Sequence, residues 1–312
     1  MTVRLFDWRD LPILIRYRHR GLFFDNARVL TRGPLLVPAG AALSYFATAM
    51  GIFTYLGSNH QGEDNPLLGQ VLHEPGSQVA RLGFLAPETA LESSGIFALL
   101  EYMLIQIGQR GGLHFQAEVD ERSTALEVLR RAGFAIYVRQ RVWRLTGKPG
   151  ERGAESPWRK GKIQDSGAVR ALYNNLVPGL VQQLEPPPSG DPRELVYYRN
   201  NELLAYAELR TGPRGVWVQP FVHPDAGDAT DLLMEGLANL PARRSRPIYI
   251  CVRSYQSWLE HALEALEAEP GPVQAVMVKH LAITQRITHK IALPALEGGQ
   301  HEVTTPFARM EK

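Results

Sequence analysis

Apolar positions along the chain recur with two periods, and each change of period marks the edge of an element. Residues 78–85, Gln-Val-Ala-Arg-Leu-Gly-Phe-Leu, closed by Ala86-Pro87, predict a strand. The period then lengthens. Ile96, Leu99, Leu100, Met103, Leu104 and Ile107 follow the i, i+3, i+4, i+7 spacing of a long helix with one apolar face. Gly111-Gly112 ends it, because glycine enters a left-handed cap without steric penalty. Residues 113–119 predict a strand, 121–131 a second amphipathic helix on Ala125, Leu126 and Leu129, and 135–145 a strand after Gly133-Phe134. Ahead of this core, 3–6 predicts an opening strand and 25–31 a helix. Asp10 reads as a helix N-cap with Pro12 in the first turn. Residues 43–49 suit a short helix. Strands over 50–56 and 67–73 could pair across the turn-rich stretch 57–66.

The second half repeats this plan. Residues 146–162 hold Gly147, Pro149, Gly150, Gly153, Ser156 and Pro157 and read as a linker, with Trp158 packing it onto one domain. A helix over 165–176 is broken by Val177-Pro178, and a sheet run begins at 191–198. Strict alternation over 203–210 sets Leu203, Ala205, Ala207 and Leu209 against Leu204, Tyr206, Glu208 and Arg210. A strand over 216–223, a helix over 229–240, a strand over 248–252, a helix over 257–267 and a strand over 275–283 follow. Phe221-Val222-His223-Pro224 then stands opposite Phe84-Leu85-Ala86-Pro87, and 248–252 opposite 115–119. The expected domains are 1–146 and 163–290, with 147–162 between them and a polar tail over 291–312.

Composition narrows the reading. A chain of 312 residues suits two cores, and 45% hydrophobic with 21% charged residues is an ordinary globular balance. The formal net charge of +2 gives no argument for nucleic acid. The single cysteine, Cys251, excludes a disulfide framework and a cysteine-rich metal site, and reads as a small buried residue in a cytoplasmic protein. Asp7, Arg9 and Asp10 interrupt any signal-peptide core. Residues 33–62 carry no Asp, Glu, Lys or Arg and are long enough to span a bilayer, but Pro34, Pro38 and five glycines argue for short elements instead.

The residues that close and join the elements of 78–145 carry a family resemblance. Leu85-Ala86-Pro87 at the strand end, Gly95-Ile96 and Leu99-Leu100 on the long helix, Glu118-Val119, Ala125 and Gly133-Phe134 together resemble the core of the GCN5-related N-acetyltransferase (GNAT) superfamily. The resemblance implies an α/β (α+β) fold with two GNAT-like domains in tandem, each a mixed, mostly antiparallel sheet flanked by helices. It also implies acetyl-CoA or another acyl-CoA as co-substrate, held by Leu85, Ser93, Ser94, Gly95 and Ile96, and transfer of the acyl group to an amine. Backbone N–H groups and the dipole at a helix start can hold a pyrophosphate. The chain departs from the family pattern in three places. Glu92-Ser93-Ser94-Gly95, or Ala90-Leu91-Glu92-Ser93 if no insertion is assumed, stands where the family carries Gln or Arg and then Gly-x-Gly. Leu129 replaces its tyrosine acid, and Arg122 its asparagine.

Acyl transfer to an amine needs a group to take the ammonium proton and another to protonate the leaving thiolate. Glu208 and Tyr206, on one face of a strand, and Tyr137 are the candidates, with Tyr197, Tyr198, His223 and Tyr255 behind them. After the second-half strand, Asp225, Asp228 and Asp231 oppose a pyrophosphate, and Asp228 or Thr230 reads as an N-cap. Residues His60, Glu63 and Asp64 lack a metal-ligand spacing, so no metal is expected. Three functions fit: an N-acyltransferase, a GNAT-like binding or interaction module without catalysis, and a membrane-associated protein using 33–62.

Overall fold

A computed structural model of the chain describes residues 1–17, 19–33, 51–58, 66–146, 156–187, 194–240 and 246–281. Its first half runs β1 (Thr2–Leu5), α1 (Leu11–Tyr17), β2 (Leu22–Phe23), α2 (Asn26–Arg32), β3 (Ile52–Ser58), β4 (Leu67–Leu72), β5 (Val79–Ala86), α3 (Ser94–Gln109), β6 (His114–Asp120), α4 (Thr124–Arg131) and β7 (Ala135–Leu145). The second runs β8 (Trp158–Lys160), α5 (Ser166–Leu176), α6 (Gly179–Gln182), β9 (Leu195–Arg199), β10 (Glu202–Thr211), β11 (Val216–Val222), α7 (Ala229–Ala238), β12 (Ile248–Arg253), α8 (Leu259–Ala265) and β13 (Glu269–His280). The expected helix over 43–49, the loop holding His60, Glu63 and Asp64, and the tail over 291–312 lie outside the described residues. Among the described residues no helix is long and apolar enough to cross a membrane.

The strands form one mixed sheet in the order β1-β3-β4-β5-β6-β13-β7-β12-β11-β10-β9-β8, with β2 on β5. The sheet crosses the expected boundary at 147–162 without a break, and Met1–Ala282 is one compact unit. The last strands of the two halves make that continuity. β13 lies between β6 and β7, pairing Gln274–His280 with His114–Asp120 on one edge and Glu269–Val278 with Ala135–Arg144 on the other. β7 in turn pairs Gln140–Leu145 with Ile248–Arg253 of β12. Each half thus completes its sheet with the other half's last strand. The final strand was expected at 275–283; it begins six residues earlier because Glu269 and Pro270 already pair with Arg144 and Trp143.

The long helix α3 buries the face its spacing predicted; on α4 Ala125 and Leu129 are buried as expected, but Val128 takes the third buried place and Leu126 is only partly buried. Ile96, Leu99, Leu100, Met103, Leu104 and Ile107 of α3 pack with Ala125, Val128 and Leu129 of α4 over Phe115, Ala117 and Val119 of β6. Strand alternation sends the intervening Gln116 and Glu118 to the opposite face. In the second half, Leu232, Leu233 and Leu237 of α7 join Leu259, Ala262 and Leu263 of α8 over Val216, Val218, Ile248 and Ile250. Trp158 belongs to that core, with its indole N–H donating to Leu232 O at 3.0 Å. Residues 158–160 are therefore strand and not linker.

The halves also share a corner built from the same four hydrogen bonds. Arg4 donates two bonds of 2.7 Å to Asp10, whose Oδ2 also takes the Asp7 N–H; Arg159 and Lys162 do the same for Asp165. In each case the arginine Nη1 also reaches the carbonyl of the next residue. Asp10 is therefore not the N-cap its position before Leu11-Pro12 suggested. Asp7 takes that role, and Asp10 is the carboxylate that fixes the corner. The Arg159 guanidinium holds Asp165 down to about 2, against the opposing effect of burial.

Candidate functional site: the polar seam between the halves

Two openings in the sheet flank the exchanged strands. β5 and β6 run parallel only where Val79–Arg81 face His114–Gln116, and then part. β11 and β12 do the same beyond Val216–Val218 and Ile248–Ile250. Parting strands leave facing N–H and C=O groups that an extended, amide-bearing ligand can pair with as an added strand. In the first opening the chain itself supplies that strand. Leu22 and Phe23 pair with Leu85 and Phe84, the Phe24 N–H donates to Gly83 O at 3.1 Å, and the Glu118 N–H donates to Phe24 O at 2.9 Å. In the second opening one side chain does the work. Gln256 Oε1 accepts from the Val222 N–H at 2.8 Å and its Nε2 donates to Pro220 O at 3.0 Å.

The expected cofactor residues sit beside the first opening. Leu85 is wholly buried, with its main chain paired to Leu22 on one edge and Gly69 on the other. Ser93, Ser94, Gly95 and Ile96 come together where α3 starts. Ser93 Oγ donates to Ala90 O at 2.7 Å, Ile96 is buried, and a Cβ on Gly95 would meet Leu67 Cδ1 and Met1 Sδ at 2.9 Å. In the second half Asp228 caps α7, its Oδ1 accepting from the N–H groups of Thr230 and Asp231 at 2.8 and 3.1 Å. That carboxylate occupies the N–H groups a phosphate would need. Neither opening fits an acyl-CoA arm in this conformation: one is filled by β2, the other is bridged by Gln256 beneath an acid-capped helix.

The three expected acid–base residues are not brought into one site. Glu208 is half-buried and accepts from Arg210 Nε and Nη2 at 3.0 and 2.9 Å. Tyr206 lies on the same strand in an apolar cluster, its ring 5.8 Å from that of Phe221. Tyr137 packs against that same apolar cluster, while its hydroxyl enters a polar network running across the exchanged strands. Its hydroxyl donates to Glu185 Oε1 at 2.7 Å and accepts from Gln116 Nε2 at 3.2 Å. Burial, then the Glu185 carboxylate, push that hydroxyl well above the usual phenol range. Arg253 Nη2 donates to the same Glu185 oxygen at 2.7 Å, and Tyr173 donates to the Glu185 carbonyl.

The network continues toward α2. The Glu118 carboxylate accepts from Asn26 N and Nδ2, both at 2.9 Å; Asn26 Nδ2 and Gln140 Nε2 also reach Gln274 Oε1. Cys251 Sγ donates to Gln140 Oε1 at 3.3 Å, and burial pushes its thiol up to about 12, so it is not a nucleophile. Burial and the nearby Asp25 raise Glu118 above the ordinary carboxylate range. Three buried polar atoms here have no hydrogen-bond partner among the described residues: Arg253 Nε, Arg253 Nη1 and the Tyr255 hydroxyl. A cleft of about 420 Å³ opens beside Tyr137, between Arg130, Arg139 and Ser254.

Glu118, Glu185, Arg253 and Gln256 were not singled out as site residues by reading the chain. A signal for part of the network was there, since Gln116 and Glu118 alternate with the apolar Phe115, Ala117 and Val119, and Gln274 stands between Val273 and Ala275. Among the described residues no group of three or more His, Cys, Asp or Glu could hold a metal ion.

Neither a described protein-family profile nor a curated protein sequence matches the chain. Its architecture does match solved structures. A GCN5-related N-acetyltransferase from Sphaerobacter thermophilus aligns with a TM-score of 0.56 at 13% identity, over 90% of this chain and 96% of that one. A protein from Pyrococcus horikoshii described as a proposed acetyltransferase aligns with a TM-score of 0.51 at 14% identity, over 90% of each chain. Identities this low carry fold and not activity. Because the alignments span both halves, the chain has the GCN5-related N-acetyltransferase fold, twice in tandem.

Proposed function

We propose that this chain uses the acetyltransferase fold as a ligand-binding or interaction module without acyl transfer. The observation that carries this reading is β2. Leu22, Phe23 and Phe24 already hold the hydrogen bonds that the amide-bearing arm of coenzyme A would take from the opening between β5 and β6. Displacing them would also strip Glu118 of its backbone partner and expose Phe24, which is 2% exposed. The seam suits ligand recognition, since Tyr137, whose hydroxyl joins the Glu185–Arg253 network, lines a cleft of about 420 Å³ together with Arg130, Arg139 and Ser254.

The second reading is an N-acyltransferase that moves an acyl group from acetyl-CoA or another acyl-CoA to an amine. It is favoured by the likeness over 90% of the chain and by the second opening, where a single side chain, Gln256, stands in the way. Calorimetric titration with acetyl-CoA and with free coenzyme A separates the two. No heat and no rise in Tm at millimolar ligand is the expected result, because a ligand that binds the native state must stabilise it. Micromolar binding of either compound overturns the closed opening on which the module reading rests, and thiol release from acetyl-CoA in the presence of an amine overturns the module reading itself. Loss of that binding in Gly95→Leu would then place the cofactor at the start of α3.

A further inference from the structure

The outer end of the β6–β13 pairing brings together two histidines that are 166 residues apart in sequence. His280 is the direct cross-strand partner of His114, and the next rung is closed by the Leu281 N–H donating to Leu113 O at 2.8 Å. The two histidines therefore form a non-hydrogen-bonded antiparallel pair, the arrangement in which facing side chains approach most closely. Their Nδ1 atoms are 3.0 Å apart, with the rings perpendicular at 89° and their centroids 5.0 Å apart. His280 is exposed and His114 half-exposed, so the gap between the nitrogens is open to solvent.

A hydrogen bond between two neutral imidazoles accounts for that distance, and so does a shared metal ion. Two imidazole nitrogens bound to one ion at about 2.0–2.1 Å and at about a right angle lie about 3 Å apart; a tetrahedral angle spreads them to about 3.3 Å. If both rings carry their proton on Nε2, both Nδ1 lone pairs face the gap and the ion enters without displacing a proton.

The geometry points to a two-histidine site for a divalent late transition metal, Ni(II) or Cu(II), with water in the remaining positions. Such an ion would clamp β13, the strand that the second half lends to the first, onto β6. It would be a site apart from the seam network and independent of the functional reading above.

The test is titration of the chelator-treated full chain with NiCl₂, CuSO₄ and ZnCl₂, followed by calorimetry and thermal unfolding. The expected result is saturable binding with a rise in Tm, tighter for Ni(II) than for Zn(II), in the unsubstituted chain. Both effects should be lost in His114→Ala and in His280→Ala and retained in His261→Ala, an exposed histidine elsewhere. Binding that survives either of the first two substitutions unchanged overturns the site, as does absence of Ni(II) and Cu(II) binding to the unsubstituted chain. Zn(II) binding as tightly as Ni(II) overturns the right-angle assignment. Both substituted positions are solvent-accessible, and unchanged circular dichroism of the variants separates loss of the site from loss of the fold.

Discussion

Single side chains in this protein act mostly by ending or joining main-chain pairing. Gln256 accepts from the Val222 N–H and donates to Pro220 O, and Asp228 accepts from two N–H groups in the first turn of α7. Asp10 and Asp165 each tie an arginine and a turn N–H into a corner. The pH behaviour of Asp165 follows from its depressed pKa. Its contribution to stability is fully present above its ordinary value of 3.8 and is lost as pH falls through about 2. Asp165→Asn should therefore lower stability at neutral pH and flatten the acid-side loss between those values in denaturant melts. Equal acid slopes for the two proteins would show that Arg159 does not hold Asp165 in solution. Asp228 was legible as a cap because a short acid precedes an apolar helical run. The Arg–Asp corners were not, since six residues separate the partners and only the turn brings them together.

Elements show where function and fold compete. A strand of two residues is too short to persist by its own propensity. β2 exists because β5 and β6 part and leave it partners on both sides. If the first opening is closed as described, the amide hydrogens of Phe24 and Glu118 should exchange slowly, at rates close to those of the central strands. Exchange as fast as in exposed loops would mean that the opening is free and the cofactor site available. The long helix α3 behaves in the opposite way: its buried face follows directly from the apolar spacing of Ile96 to Ile107. Periodicity could not find β2, because two residues carry no period.

At the scale of the molecule, the exchange of β7 and β13 makes the halves mutually dependent. A fragment ending at Thr146 would lose β12 from one edge of β7 and β13 from the other, and would leave β6 an open edge. Residues 1–146 expressed alone should lack a cooperative thermal transition or aggregate, while the whole chain unfolds in one transition. A monomeric fragment that melts cooperatively would show that the exchanged strands are dispensable. The division expected at 147–162 was read from glycine and proline in the composition, while the sheet runs across it and Trp158–Lys160 are strand. The exchange across it is not visible in composition, since β7 and β13 have the same alternating character whichever neighbour they take.

The sequence by itself determined most of the longer elements, the buried face of α3 and the tandem order of helices and strands. Each of these depends on neighbours three or four residues away in a helix or two in a strand. It also determined that Cys251 is a small buried residue and that Asp228 or Thr230 caps a helix, of which the structure shows Asp228. Only the tertiary structure decided which strands adjoin, that β2 and Gln256 fill the two openings, and that Tyr137 meets Glu185 and Arg253 while Glu208 stays with Arg210. These outcomes depend on pairing between residues tens to hundreds of positions apart, where an exposed strand edge accepts whichever partner the rest of the fold delivers to it.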